Sequence, residues 1–296
     1  MLSRRRFLLQ AGLAAPALFG SYALGAEPMF RLVVTDYQPA PPQWPVDMRL
    51  KIAVLADIHA INPWMSVTRI EAIAQATNRL QPDIVLLAGD YKTSMATFGV
   101  GSHVPIEDCA RALSILRAPL GVHAVLGNHD IGADRGDDVR RAFAANDIPM
   151  MENSALRLHK DGKPFWLLGL GDQFAFRARG GRRLGMDDLP GTLAQMTDDA
   201  PSILLAHEPD IFVDVPDHVA LTVCGHTHGG QICIPGYGPL FVPSRFGTRY
   251  AYGHIVEGSR HLIVSGGLGT SGLPVRFGVP PEIVTITLGG GTDGLV

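Results

Sequence analysis

Leu50-Lys-Ile-Ala-Val-Leu-Ala-Asp57-Ile-His59 is the stretch on which the reading of this chain turns. It is a short, nearly unbroken apolar run that stops abruptly in an aspartate and a histidine. A continuous apolar run of this length suits a strand buried on both faces of a sheet. The same event recurs four times downstream. Ile84–Ala88 ends in Gly89-Asp90, Val122–Leu126 in Gly127-Asn128-His129-Asp130, Ser202–Ala206 in His207-Glu208, and Val219–Val223, past Cys224, in Gly225-His226-Thr227-His228. Between the early runs, Ser66–Leu80 carries helical spacing through Ile70, Ile73, Ala74 and Thr77, and Ile106–Leu116 and Val139–Ala145 also read as helices. Further strands are predicted at Leu156–His159, Phe165–Gly169, Gln231–Ile234, Leu262–Ser265 and Ile283–Leu288. Strands alternating with helices early and crowding together later predict an α/β fold whose second half is largely antiparallel or mixed.

The chemistry lies where the apolar runs end. In open α/β sheets, ligands bind beyond the carboxyl ends of the strands, where side chains project from a rigid platform. Residues two apart in extended chain point the same way, so Asp57 and His59 are expected to converge, as are His226 and His228. Gly89, Gly127 and Gly225 allow tight turns and close approach to an ion or phosphate. Carboxylate, imidazole and amide oxygen together suit Mn, Fe, Zn or Co, whereas calcium takes oxygen ligands only. Eight candidates (Asp57, His59, Asp90, Asn128, His129, His207, His226 and His228) exceed the four ligands of a tetrahedral zinc. Two cations sharing a carboxylate fit better, and such pairs clamp the attacking and leaving oxygens of a phosphoryl transfer. Any one of these residues alone would read as a cap or a solvated surface group. Five strand ends with the same chemistry would not.

The ordered set Asp57-x-His59, Gly89-Asp90, Gly127-Asn128-His129-Asp130, His207 and Gly225-His226-x-His228 resembles the calcineurin-like metallophosphoesterase superfamily, over residues 49–288. Cys224–Gln231, Gly267–Gly278 and Pro280-Pro-Glu282 resemble its exported or membrane-associated bacterial phosphodiesterase branch. The resemblance implies a four-layer α/β/β/α sandwich with two mixed sheets. It implies that Asp57, His59, Asp90 and His228 hold one metal, and that Asp90, Asn128, His207 and His226 hold the other, with Asp90 bridging. His129 would protonate the leaving oxygen, and Asp130 would orient His129. The implied activity is metal-dependent phosphodiester hydrolysis by a water that two divalent or trivalent ions activate near neutral pH. The alternative within enzymes is a UDP-2,3-diacylglucosamine-type lipid pyrophosphatase. A non-catalytic interaction module on the same fold would show eroded ligands, and none is missing.

At the N-terminus, Arg4-Arg-Arg-Phe-Leu-Leu9 and the small, apolar stretch after it resemble a twin-arginine signal over residues 1–26. The expectation is an exported, periplasmic or membrane-associated protein whose partner is the twin-arginine machinery. A signal cut near Gly25 or Ala26 is one reading; the other is an uncleaved anchor, since Phe7–Gly25 approaches the ~20 residues that span a bilayer. Residues 27–48 are proline-rich and read as a linker with an outer strand at Arg31–Thr35, and 289–296 as a glycine-rich tail. The chain holds 25 Lys and Arg against 28 Asp and Glu; without Arg4, Arg5 and Arg6 the balance is 22 against 28, a net charge of −6. That gives no long-range attraction to nucleic acid and disfavours an exonuclease. Three cysteines (Cys109, Cys224, Cys233) are not a disulfide framework, though one bridge stays open.

Two stretches bear on substrate. Arg177, Arg179, Arg182 and Arg183 beside Phe174 and Phe176 read as an anionic head-group site or as a solvated loop. Residues 235–252 mix Tyr237, Phe241, Phe246, Tyr250 and Tyr252 with Arg245 and Arg249. They read as an aromatic, basic lip for a lipid-linked phosphodiester with peripheral membrane contact, or as a long β-connection with a packed interior.

Overall fold

The computed structural model describes residues 17–131, 136–177 and 183–290. Two sheets lie face to face. The first contains β1 (Val33–Tyr37), β2 (Leu50–Leu55), β3 (Ile84–Leu87), β4 (Val122–Ala124) and β11 (Glu282–Leu288), in the order β1-β11-β2-β3-β4. The second contains β5 (Ser154–Lys160), β6 (Lys163–Gly169), β7 (Ser202–Leu205), β8 (Val219–Cys224), β9 (Gly253–Glu257) and β10 (Arg260–Val264), in the order β9-β10-β8-β7-β6-β5. Both sheets are mixed. In the first, β2, β3 and β4 run parallel and β11 is antiparallel to β2. In the second, β6, β7, β8 and β10 run parallel, and the antiparallel strands are the edges β5 and β9. In the second sheet the antiparallel pairing is thus confined to the edges, whereas β11 lies antiparallel to β2 inside the first sheet.

Alternation along each strand sorts the core into layers. On β2, Leu50, Ile52 and Val54 face the second sheet, where they meet Phe165, Leu167, Ile203, Leu205 and Val223. The intervening Ala53 and Leu55 pack under α1 (Val67–Arg79), α2 (Ile106–Leu113) and α3 (Asp137–Ala144). On the far side, Trp166, Leu168 and Leu204 are covered by α4 (Leu189–Leu193) and a 3₁₀ turn at Pro209–Val213. The order is α/β/β/α, with a thinner second helical layer. Helix α1 begins where Ser66 accepts a hydrogen bond from the Arg69 N–H, 3.3 Å.

The proline-rich segment adds an edge strand: β1 pairs in parallel with β11 from Val33↔Glu282 to Tyr37↔Ile286. Residues 17–30 are helical, winding as a π-helix over Tyr22–Phe30, and they pack on the domain. Ala23 and Glu27 are buried. The Ala23 carbonyl accepts from Arg276 N–H (2.9 Å), and that of Leu24 from the Trp64 indole (2.9 Å). At the other terminus, Gly290 N–H donates to Val46 O, 2.7 Å; the remainder of the glycine-rich tail lies outside the described residues. All three cysteines are free.

Candidate metal centre

Every candidate ligand sits in a loop leaving the carboxyl end of a parallel strand: β2, β3 and β4 from one sheet, β7 and β8 from the other. Because the sheets face each other, the two sets of loops meet. Five of these ligands occupy the left-handed backbone region: Asp57 (φ 53°), His59 (45°), Asp90 (58°), His226 (71°) and His228 (53°). That region is costly for residues carrying a Cβ, and its concentration here marks a site that the surrounding structure over-determines. Two glycines with ordinary φ are needed for space. A Cβ on Gly127 would lie 2.5 Å from Asp90 N and closer still to its carboxylate. A Cβ on Gly225 would lie 2.6 Å from Asp57 Oδ2.

Two groups form: Asp57, His59 and His228, and Asp90, His207 and His226. Asp90 Oδ2 joins them, lying 3.4 Å from His59 Nε2 and 3.2 Å from His207 Nε2. Within the groups, His59 Nε2 is 3.1 Å from His228 Nε2, His226 Nδ1 is 3.2 Å from His207 Nε2, and His228 Nε2 is 3.5 Å from Asp57 Oδ1. The backbone here is not extended. With positive φ at both ends, His226 and His228 do not converge but turn into different groups.

The imidazoles are aimed by their second nitrogens. His59 Nδ1 donates to Lys92 O (2.8 Å), His207 Nδ1 to Ala88 O (2.6 Å) and His226 Nε2 to Pro243 O (2.9 Å), which turns the other nitrogen of each ring inward. His228 is fixed differently: the guanidinium of Arg276, fully buried, lies 3.3 Å from its Nδ1.

Burial pushes His59 and His226 down to about 3 and His228 well below its ordinary value, so these rings are neutral donors at physiological pH. Burial also lowers His207, but the charge and hydrogen bond of Asp90 outweigh it and the net shift is upward. Asp90 is pushed up by burial and drawn further down by His207 and His129. Asp57 is raised to about 7, chiefly by burial. This set fits a pair of cations. Two buried carboxylates and four buried imidazoles present ligand atoms within 4.8 Å of one another in each group. Among the described residues, Asn128 Oδ1 is a shielded oxygen with no hydrogen-bond partner.

His129 stands beside the groups without joining them. Its backbone N–H donates to Asp90 Oδ1 (2.8 Å), and its ring meets His59 edge-on at 4.9 Å. The orienting role expected of Asp130 is corrected here. Its carboxylate accepts the backbone N–H groups of Asp90 (2.8 Å), Tyr91 (2.8 Å), Lys92 (3.0 Å) and Gly127 (2.9 Å). It therefore locks two ligand loops together, and its oxygens are spent on backbone, not on imidazole. The ring's partner is Ser271, whose Oγ lies 3.3 Å from Nε2. Ser271 is held in turn by Gln231, which accepts from its N–H (2.8 Å) and donates to its carbonyl (3.2 Å). Sequence reasoning missed Ser271, Gln231 and Arg276. The only signal was that Gly267–Gly278 and Cys224–Gln231 stood out as motifs.

A pocket of about 670 Å³ opens over the centre; Asp90, His129 and His228 lie in it, and Ile232, Leu240 and Phe241 form an apolar wall. Phe174 stands edge-on to His226 at 5.4 Å, and Leu240, Phe241, Pro243, Ser244 and Arg245 also line the pocket, so both stretches singled out for substrate reach it. Arg179 and Arg182 lie outside the described residues.

The model of calcineurin-like phosphoesterases matches residues 50–256. The chain belongs to the calcineurin-like phosphoesterase family. Metallophosphoesterase YkuE of Bacillus subtilis is 32% identical over 239 residues, covering 80% of this chain and 78% of the relative. Phosphodiesterase YaeI of Escherichia coli is 30% identical over 306 aligned residues, covering 97% and 100%. Among solved structures, a 5'-nucleotidase precursor from Thermus thermophilus superposes with a TM-score of 0.50 at 12% identity, over 81% of this chain and 55% of that one, a likeness of fold. The family and the paired His/Asp groups make this chain a metal-dependent hydrolase of phosphoric esters with a dinuclear site.

Proposed function

We propose that the chain is a two-metal phosphodiesterase, carried by one observation: a single oxygen of Asp90 faces both ligand groups. In this reading Asp57, His59, Asp90 and His228 hold one cation, and Asp90, Asn128, His207 and His226 the other. Mn, Fe, Zn and Co suit these donors. When bound, the pair lowers the pKa of water and offsets charge on the phosphoryl oxygens. The protein's own residues do the rest. Asp130 fixes the loops that carry Asp90 and Asn128. His129 carries a proton to the leaving oxygen at Nε2, and Ser271, held by Gln231, sets the angle of that ring. Diester preference is supported by the likeness to phosphodiesterase YaeI. The apolar wall of Ile232, Leu240 and Phe241 favours a lipid-linked diester, or a lipid pyrophosphate as the second reading. The N-terminal arginine motif supports export through the twin-arginine machinery to the periplasmic or outer face of the membrane.

The test is hydrolysis of a chromogenic phosphodiester with added Mn²⁺, against a phosphomonoester control. Preferential diester turnover that chelation abolishes supports the reading, and monoester preference overturns it. His129→Ala should keep both metals while turnover of an alkyl diester, whose leaving oxygen needs a proton, falls ~10²–10⁴-fold, the range for a lost general acid. Loss of metal in that variant would remove His129 from this role.

A further inference from the structure

We infer that the mouth of the pocket rests on a lipid bilayer, with the N-terminal segment kept as part of the contact. The inference rests on the phosphodiesterase reading only for what the pocket binds. Its basis is a continuous apolar rim. Ile234 (39% exposed), Tyr237 (78%), Leu240 (55%), Phe241 (73%) and Leu273 (63%) all face solvent. Backbone hydrogen bonds tie them into one surface: Tyr237 N–H to Ile234 O (3.0 Å), Leu240 N–H to Ile232 O (3.0 Å) and Cys233 N–H to Phe277 O (2.7 Å). The Gln231 side chain adds a bond to Leu273 O (3.1 Å). Leu240, Phe241 and Leu273 also line the pocket, so the rim runs without a break into the site. A solvent-facing apolar surface of this kind, at the entrance of a site, marks a contact.

The chain itself indicates the occupant. Phe277 at the edge of this rim packs against Phe19 (4.8 Å) and Tyr22 (6.3 Å) of the N-terminal helical segment. That segment is the continuation of the apolar run that starts at Phe7, directly after three arginines. An apolar stretch headed by basic residues is suited to a membrane with anionic lipid. Its first described aromatics, Phe19 and Tyr22, lie against Phe277 on this face. Leu18 (70%), Phe19 (53%) and Leu24 (49%) extend the apolar surface. A cut at Gly25 or Ala26 would discard the buried Ala23 and the two carbonyls that Arg276 and Trp64 use. Arg245 lines the same pocket with its guanidinium mostly exposed, its Nε paired with Asp210 Oδ2 at 3.3 Å. An amphiphilic diester could then pass from the bilayer into the site along Leu240 and Phe241 without leaving apolar surroundings.

Cys233 permits a direct test, because it is partly exposed on the rim while Cys109 and Cys224 are buried. The full metal-loaded chain is labelled at Cys233 with an environment-sensitive thiol dye. A second preparation, Cys233→Ser with Val46→Cys, carries the dye at the opposite end of the sheets, where the exposed Val46 precedes β2. Vesicles of phosphatidylcholine and phosphatidylglycerol containing a bromine-labelled lipid are then added. The expected result is a blue shift and quenching at position 233 and neither at 46. Ile234→Glu with Tyr237→Glu should remove most of that quenching and leave turnover of a soluble chromogenic diester unchanged, since neither residue lines the pocket. Equal quenching at both positions would mean that the N-terminal run alone holds the membrane, and would overturn the inference. So would no quenching, or a dye at 233 already shielded without lipid, which would mean that the chain covers its own rim. Quenching at 233 without diester turnover would count against the phosphodiesterase reading and leave the surface standing.

Discussion

Replacing Gly127 by alanine puts a methyl group where one α-hydrogen was, and the structure specifies what it meets. Gly127 has an ordinary φ, so alanine there carries no left-handed strain and the effect is purely steric. The new Cβ would lie 2.5 Å from Asp90 N, and the Asp90 carboxylate is nearer still. Asp90 N cannot yield, because its hydrogen is held by Asp130 Oδ2 at 2.8 Å and the same carboxylate oxygen holds Gly127 N at 2.9 Å. Relief must therefore come from moving the Asp90 side chain or opening the turn that presents Asn128 and His129. Overpacking of a rigid site costs about 1–3 kcal/mol of stability. The functional loss is larger, since a displacement of ~1 Å at a reacting centre costs ~100-fold in rate. The displaced group faces both ligand clusters, so both cations should be lost together. Metal content after dialysis, thermal melting with and without Mn²⁺, and diester turnover measure the three effects. Gly162→Ala is the control: its φ is +80° but nothing lies within 4 Å of its Cβ, so stability alone should fall, by ~1 kcal/mol. A Gly127→Ala protein holding two metals with undiminished turnover would refute the claim that this close approach sets the ligand geometry.

Asp130→Asn should be severe although it touches no metal, because the amide turns a donor toward backbone N–H groups that had a carboxylate; a loss of roughly 3 kcal/mol or more and weakened metal retention are expected, read by denaturant melts and metal analysis. Ser271→Ala should leave a p-nitrophenyl diester nearly unaffected, since that leaving group needs no proton, yet slow an alkyl diester ~10-fold or more; equal losses on both would make Ser271 merely structural. Metal affinity should rise with pH across the range ~5 to ~8, because ligands bind deprotonated. Asp57, raised to about 7 in the metal-free protein, carries a proton below that value which a cation must displace, and His207, raised by Asp90, carries another. His59 and His226, already neutral above about 3, add no slope there. A pH-independent affinity by Mn²⁺ titration would contradict these assignments.

The strand ends were legible because two signals coincide there: an apolar run long enough to be buried and a polar residue that has no business following it. Asp57, Asp90, Asn128, His207, His226 and His228 were all visible in this way. The partition between the groups came from the family resemblance and not from strand periodicity, since it depends on positive φ at non-glycine residues, which the sequence does not mark. Asp130 could be located but not understood, as its four partners are backbone groups, three of them 38, 39 and 40 residues away and one nearby. Ser271 lies 142 residues from His129, and an isolated serine in a glycine-rich loop carries no periodicity to betray it. The docking of residues 17–30 escaped for a similar reason. Its grammar is that of an address, and only the burial of Ala23 and Glu27 reveals a structural use.

The ligands are drawn from both sheets, and this bears on how the molecule comes apart. Asp57 and His228 are 171 positions apart in sequence yet share one group, so a bound ion stitches the first sheet's loops to the second's. Pulling the halves apart must empty the centre first, and ligands that bind only the folded form raise the free energy of unfolding. Chelation should then lower the melting temperature and also make the two sheets melt separately, turning one cooperative transition into two.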